Sequence, residues 1–192
     1  IVGTGFVWEQ QDVPGANLEG LHYVKNIRRA MEFDKELDAI KKAVVIGGMW
    51  LGVEMSGALA RRGIDVQFID EGPWLLHELC DPDTAQAAQE ALEKLGVNVR
   101  MGVRLEGFDG ADGRVRAVQT SEGELECDVA IVCLHKLPAT ALPESIGLKL
   151  GTTGGVVVDD HMRTSAPGVW AAGDVVEVPH GLSMLPIRGL TG

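Results

Sequence analysis

The chain has 192 residues, 45% of them apolar, and 17 basic against 28 acidic residues leave a formal charge of −11. That length supports one domain with extra segments, with a core that needs neither disulfide nor metal. Acidic residues spread along the chain repel a phosphate backbone and exclude nucleic acid as a partner, and the longest apolar stretch, Ala43 to Val53, is broken by glycine and too short to cross a bilayer.

The opening Ile1-Val2-Gly3-Thr4-Gly5 reads as the middle of a strand and its turn, so a piece of a longer protein is expected. From Asn26 to about Ile40 the apolar spacing of Ile27, Ala30, Met31, Leu37 and Ile40 predicts a helix. Ala43-Val44-Val45-Ile46 is a continuous apolar run ending in glycine, the pattern of a fully buried parallel strand. A second helix follows over Trp50 to Arg62, ended by Gly63. Val66 to Ile69 is the next strand.

Asp81-Pro82 opens a third helix as N-cap and first helical residue, which runs through Leu92 and stops near Gly96. Val97 to Met101 is again a strand. The segments Leu105–Phe108, Val115–Thr120 and Glu124–Glu126, parted by Asp-Gly and Glu-Gly turns, predict a small antiparallel meander. Val129 to Val132 closes the series as another buried strand. Strands alternating with helices imply an α/β fold: a Rossmann-like parallel sheet with helices on both faces and a small antiparallel β-meander.

Cys80, Cys127 and Cys133 form no C-x-x-C pair. Cys133 lies in an apolar run and reads as a buried structural thiol rather than a nucleophile. His22, His77, His161 and His180 have no mutual spacing that suggests a metal. A reducing, cytoplasmic setting without metal is the expectation.

Gly47-Gly48-Met49-Trp50-Leu51-Gly52 spans the end of one strand and the start of a helix, and Asp70 ends the next strand 18 residues past Gly52. This is the layout that binds a dinucleotide: a tight turn, a helix N-terminus facing the pyrophosphate, and an acid for the ribose hydroxyls. The plainer alternative for Asp70 is a residue that merely ends a strand. Glu71 beside Asp70 adds a second carboxylate, which repels a 2′-phosphate and favours NAD(H) over NADP(H). Met49 departs from the pattern, standing where a second glycine lets the ligand approach the backbone.

The run from Ala43 through Asp174 resembles the FAD-dependent pyridine-nucleotide–disulfide oxidoreductases, in particular the branch of coenzyme-A-disulfide reductases and NADH oxidases. The residues that carry the resemblance are Val45-Ile46-Gly47-Gly48 with Gly52-Val53-Glu54, then Ile69-Asp70, then Val132-Cys133-Leu134 with Pro138 and Thr140. Gly155 to Asp159 follows, and Thr164 through Asp174, T-S-A-P-G-V-W-A-A-G-D, is the most specific string.

The resemblance implies a division into 1–20, a remnant of an FAD domain and linker; 21–160, the NAD(H)-binding domain; and 161–192, a return to the FAD domain. It implies that Asp174 holds the flavin ribityl chain and that Glu54 lies near the flavin–nicotinamide junction, where a first-turn carboxylate favoured by the helix dipole is the duller alternative. Leu134 and His135 follow the last strand near the dinucleotide, and His135 stands where the family has glycine. FAD belongs to the full-length parent, a homodimer through a domain after Gly192, and this chain alone is expected to hold no flavin and turn nothing over. Two readings follow. One is a domain presenting NADH to the FAD domain of its own parent; the other is a degenerate scaffold of the same fold, its cleft blocked by Met49 and His135, serving subunit contact or another ligand.

Overall fold

The computed structural model describes residues 1–179 and 186–188. In chain order its elements begin β1 (Phe6–Trp8), β2 (Leu21–His22), α1 (Ile27–Asp34), β3 (Lys42–Ile46), α2 (Trp50–Arg61), β4 (Asp65–Asp70), α3 (Pro82–Lys94) and β5 (Asn98–Met101). They continue with β6 (Leu105–Ala111), β7 (Arg114–Thr120), β8 (Gly123–Glu126), β9 (Val129–Val132), β10 (Lys136–Pro138), α4 (Ala141–Ser145), β11 (Val156–Val157), β12 (Val176–Pro179) and β13 (Pro186–Arg188). Two compact units form, one from Gln10–Leu134 and one from Ile1–Glu9 with the residues from His135 on.

The Gln10–Leu134 unit holds a five-stranded sheet in the order β2-β9-β3-β4-β5, every neighbouring pair parallel. Its central strands β9 and β3 carry the continuous apolar runs Val129–Val132 and 43–46 because both faces are covered. Ala43, Val45, Val66, Phe68, Val129 and Ile131 point to one side, where Phe33 of α1, Leu59 of α2 and Ala85 and Leu92 of α3 pack on them. Val44, Ile46, Ile69, Ala130 and Val132 point to the other, against Phe108, Val115, Val118 and Leu125. These last belong to the antiparallel meander β6-β7-β8. The second face therefore departs from the expected helices on both faces. The meander supplies its apolar cover, and no residue of α1, α2 or α3 joins that cluster.

This unit begins before residue 21 because residues 13–19 pack on the meander. Val13 and Leu18 lie on its apolar side, and Pro14 accepts a bond from the Phe108 amide at 2.8 Å. It ends at Leu134, short of the expected 160, because β10 pairs instead with β1 (Trp8 opposite Lys136) in the other unit. That unit also carries the sheet β11-β12-β13 and a small core of Val2, Leu148, Val156, Ala171 and Val175. Of the 161–192 segment, residues 180–185 and 189–192, His180 among them, lie outside the described residues.

The helix expected to reach Ile40 stops at Asp34, followed by a 3-10 turn over Leu37–Ala39. Ile27 and Met31, the residues that set its periodicity, are 76% and 60% exposed, while Phe33 and Ile40 are the ones that reach the core. The tighter turn and extended Ile40 deliver that side chain to the sheet, which a continued helix would not.

His22 in β2 lies 4.4 Å from the Phe33 ring, its Nε2 buried without a hydrogen bond and 3.8 Å from Glu36. Burial holds its pKa below the usual 6.5, with Glu36 opposing and Arg114 adding. The unfolded chain therefore takes up this proton first as pH falls, so stability is lost from about 6.5 downward until the folded-state pKa is passed. Melts of wild type and His22→Gln at pH 7.5 and 5.5 are expected to show a larger acid loss in wild type. His161, which Asp160 shifts the opposite way, is common to both chains and cancels in the difference. Equal losses would show that the His22 ring can charge freely.

Candidate functional site

The sheet order reverses between β3 and β9: the chain moves from β3 outward to β4 and β5, then returns to lay β9 on the other side of β3. A crevice outside the C-terminal ends of two such strands is where an open α/β sheet takes its ligand. Gly47 follows β3 there, and Cys133-Leu134 follows β9.

Gly47 has φ +117° and donates its amide to Ile69 O at 3.0 Å. A Cβ at Gly47 would run into the Cys133 carbonyl oxygen and lie 3.1 Å from the Leu134 nitrogen. Gly48 is tight for a different reason, since a Cβ there would sit 2.7 Å from Asp70 Cγ. Gly52 lets the first turn of α2 pass the turn before it: its Cβ would strike the Gly47 carbonyl and lie 3.3 Å from the Phe68 ring. All three glycines are thus required by close approach within the protein, before any ligand is considered.

Met49 is the N-cap of α2 at φ −79° and ψ 170°, a backbone that any residue adopts. It is half-buried and joins none of the buried clusters. Its side chain makes no capping bond. By contrast Asn26 caps α1 through the Arg29 amide at 3.1 Å, and Asp81 caps α3 through the Thr84 amide at 2.8 Å. The first-turn amides of α2 consequently have no side-chain acceptor and carry the partial positive charge of the helix end. Trp50 begins the helix and is 39% exposed.

Asp70 does more than end β4. Its residue is 7% exposed, its Oδ2 accepts the Gly48 amide at 2.6 Å, and its Oδ1 accepts the Gly72 amide at 2.7 Å. The carboxylate ties the glycine turn to the loop that follows β4. That loop returns the tie, for the Leu76 amide donates to Gly48 O at 2.9 Å. Each carboxylate oxygen keeps acceptor capacity beyond these bonds. His77 stands next to it, Nδ1 lying 3.9 Å from Asp70 Oδ1. Gly72 and His77 were missed by sequence reasoning. Asp70-Glu71-Gly72 had the signal, an Asp whose side chain accepts from the amide two residues on, but nothing in the pattern pointed to His77.

The structure brings Gly47, Gly48, Met49, Gly52, Asp70 and Leu134 to one end of one sheet. Glu54 is on α2 and exposed, and Glu71 is exposed beside Asp70. His135 and Asp174 belong to the other compact unit. There His135 is exposed, with Nδ1 3.3 Å from Glu9, and Asp174 is half-buried after a turn at Gly173, φ +82°. Burial pushes the Cys127 and Cys133 thiols up to about 12, so both stay protonated at neutral pH, as structural thiols do.

A family model described as pyridine nucleotide-disulphide oxidoreductase matches residues 1–185. The chain belongs to that family. Among curated relatives of this chain is the chloroplastic/mitochondrial monodehydroascorbate reductase of Arabidopsis thaliana, 31% identical over 182 residues, covering 93% of this chain and 37% of the relative. The NADH oxidase of Methanocaldococcus jannaschii is 33% identical over 168 residues, covering 86% and 37%. A solved NAD-dependent persulfide reductase from A. fulgidus superposes with a TM-score of 0.92 at 29% identity, over 98% of this chain and 35% of that one. The chain thus spans between a third and two-fifths of the length of these proteins. No helix among its described residues is long and apolar enough to cross a membrane.

Proposed function

We propose that the Gln10–Leu134 unit binds NADH and presents it to FAD in a flavin-dependent NAD(P)H oxidoreductase, the parent of this chain. The observation that carries the reading is the turn at Gly47 and Gly48, tied to Asp70 and leading into a helix start with no side-chain cap. A pyrophosphate laid over Gly48 and Met49, where the Gly48 amide is already given to Asp70, meets the uncapped first-turn amides of α2 and the positive helix end. Asp70 accepts from the adenosine ribose hydroxyls with its remaining lone pairs, and Glu71 beside it disfavours a 2′-phosphate. NADH supplies the hydride, and the chain supplies position and charge.

Glu54 is assigned to the flavin–nicotinamide junction, Leu134 and His135 to the dinucleotide, and Asp174 to the flavin ribityl chain, all by resemblance. FAD is held by the parent, a homodimer in a reducing cytoplasm, and this chain alone neither retains flavin nor turns over. The scaffold reading draws on one observation, the Met49 Cβ at the pyrophosphate approach.

Calorimetric titration of NADH into wild type and Met49→Gly separates the two readings. The methionine side chain can swing aside on three rotatable bonds, but its Cβ stays. Since φ at Met49 is ordinary, glycine relieves no backbone strain there, and any gain comes from room for the ligand. Met49→Gly is expected to bind NADH more tightly by about 1–3 kcal/mol, judged from overpacking, or roughly tenfold or more in Kd. Absence of binding by both would leave the scaffold reading, and equal tight binding would show that the methionine is no obstacle.

A further inference from the structure

The loop after β4 is held in an unusual shape. Leu76 has φ +57°, a left-handed conformation that a branched side chain rarely adopts. The strain is fixed from three sides: the Leu76 amide bonds to Gly48 O at 2.9 Å, the Cys80 amide bonds to Leu76 O at 3.0 Å, and Trp74 Nε1 donates to Cys80 O at 3.2 Å. Strain of this kind persists only where its surroundings over-determine it, and it gathers at ligand clamps and switches.

What Leu76 aims is the next residue. The His77 ring occupies the space that a side chain at Gly72 would fill, since a Cβ there would collide with His77 Nδ1 and lie 2.7 Å from Asp70 Oδ1. The ring therefore lies against the carboxylate, whose side chain is only 8% exposed, while His77 itself is 31% exposed. Its Nδ1 is buried and has no hydrogen-bond partner. A ring that covers an acceptor yet leaves its own nitrogen unsatisfied is weakly held, because turning outward returns that nitrogen to water.

We infer that His77 is a lid on Asp70, closing the carboxylate in this conformation and turning away when a ribose diol is accepted. The inference rests on the dinucleotide reading and adds how access to its ribose position is controlled. With the lid closed most of the time, the apparent affinity is the intrinsic one reduced by the open fraction. His77 then acts through Asp70 as a positioning residue and makes no contact that the ligand needs.

The test is titration of ADP-ribose into the 192-residue chain: wild type, His77→Ala, Asp70→Asn, and the double variant. His77→Ala is expected to bind about three- to tenfold more tightly, as for a lid open roughly a third to a tenth of the time. In the Asp70→Asn background the same change is expected to have a smaller effect, because the lid then covers a weaker acceptor. Histidine ring nitrogen shifts in the wild type give a reading that needs no variant, and the His77 signals are expected to move as ADP-ribose saturates. Equal or weaker binding by His77→Ala, a gain undiminished by Asp70→Asn, or unmoved ring signals at saturation each overturns the lid and leaves the dinucleotide reading standing. No binding by any of the four chains overturns both.

Discussion

Replacing Asp70 by alanine is expected to lower the unfolding free energy by about 2–4 kcal/mol and to remove NADH binding with it. Two main-chain amides, Gly48 at 2.6 Å and Gly72 at 2.7 Å, lose their acceptor at once. Both belong to buried residues, so water reaches them only if the turn opens. Bonds to a charged acceptor contribute about 1.5–3 kcal/mol each, and partial opening of the loop recovers some of that. Asp70→Asn is expected to fall between alanine and wild type. An amide side chain has one oxygen to accept with, and its NH2 group would face the second main-chain N–H donor to donor. Urea unfolding of the three chains, with NADH titration of each, makes the comparison. A change below about 1 kcal/mol in Asp70→Ala, in the range of an ordinary surface site, would mean that the amides find other partners.

That double attachment of Asp70 marks where the sequence stopped being readable. The strand and the acid at its end were legible because Val66-Gln67-Phe68-Ile69-Asp70 is local. The same holds for β3, α2, α3, β5 and the meander, each announced by its own apolar pattern and glycine or proline boundary, and for β9, announced by its apolar run alone. β2 was not legible: two residues, Leu21 and His22, have no period, and they become a strand only by pairing with Ala130 and Ile131. β1 and β10 are likewise short and exist through each other, although far apart along the chain. In α1 the period was present but misleading, since Ile27 and Met31 repeat at helical spacing and stay exposed. Among the site residues, glycines at 47, 48 and 52 were recognised as a motif, while what each makes room for depends on Cys133, Asp70 and Phe68, which only the folded sheet brings near. His77 carried no pattern at all, because a single histidine in a loop acquires meaning only from the carboxylate it lies against.

Gly47→Ala is expected to destabilise the chain by about 2–5 kcal/mol, and comparison with Gly63→Ala separates its two causes. Both glycines have positive φ, +117° at Gly47 and +80° at Gly63. At Gly63, just after α2, a Cβ meets nothing within 4 Å, so alanine there suffers only the left-handed conformation, about 1–2 kcal/mol. At Gly47 the same Cβ strikes the carbonyl oxygen of Cys133. Neither partner can step aside. Gly47 is tied through its amide to Ile69 O on β4, and Cys133 is tied through its own amide to Ile46 O at 2.7 Å on β3. The clash therefore pushes β9 from β3 at the end of the sheet that carries the glycine turn, adding about 1–3 kcal/mol as overpacking does. Urea unfolding of the two variants is expected to place Gly47→Ala clearly below Gly63→Ala, with NADH affinity lost in the first and kept in the second. Equal midpoints would mean that the strand ends part easily, and that the Gly47 turn is set by backbone conformation alone.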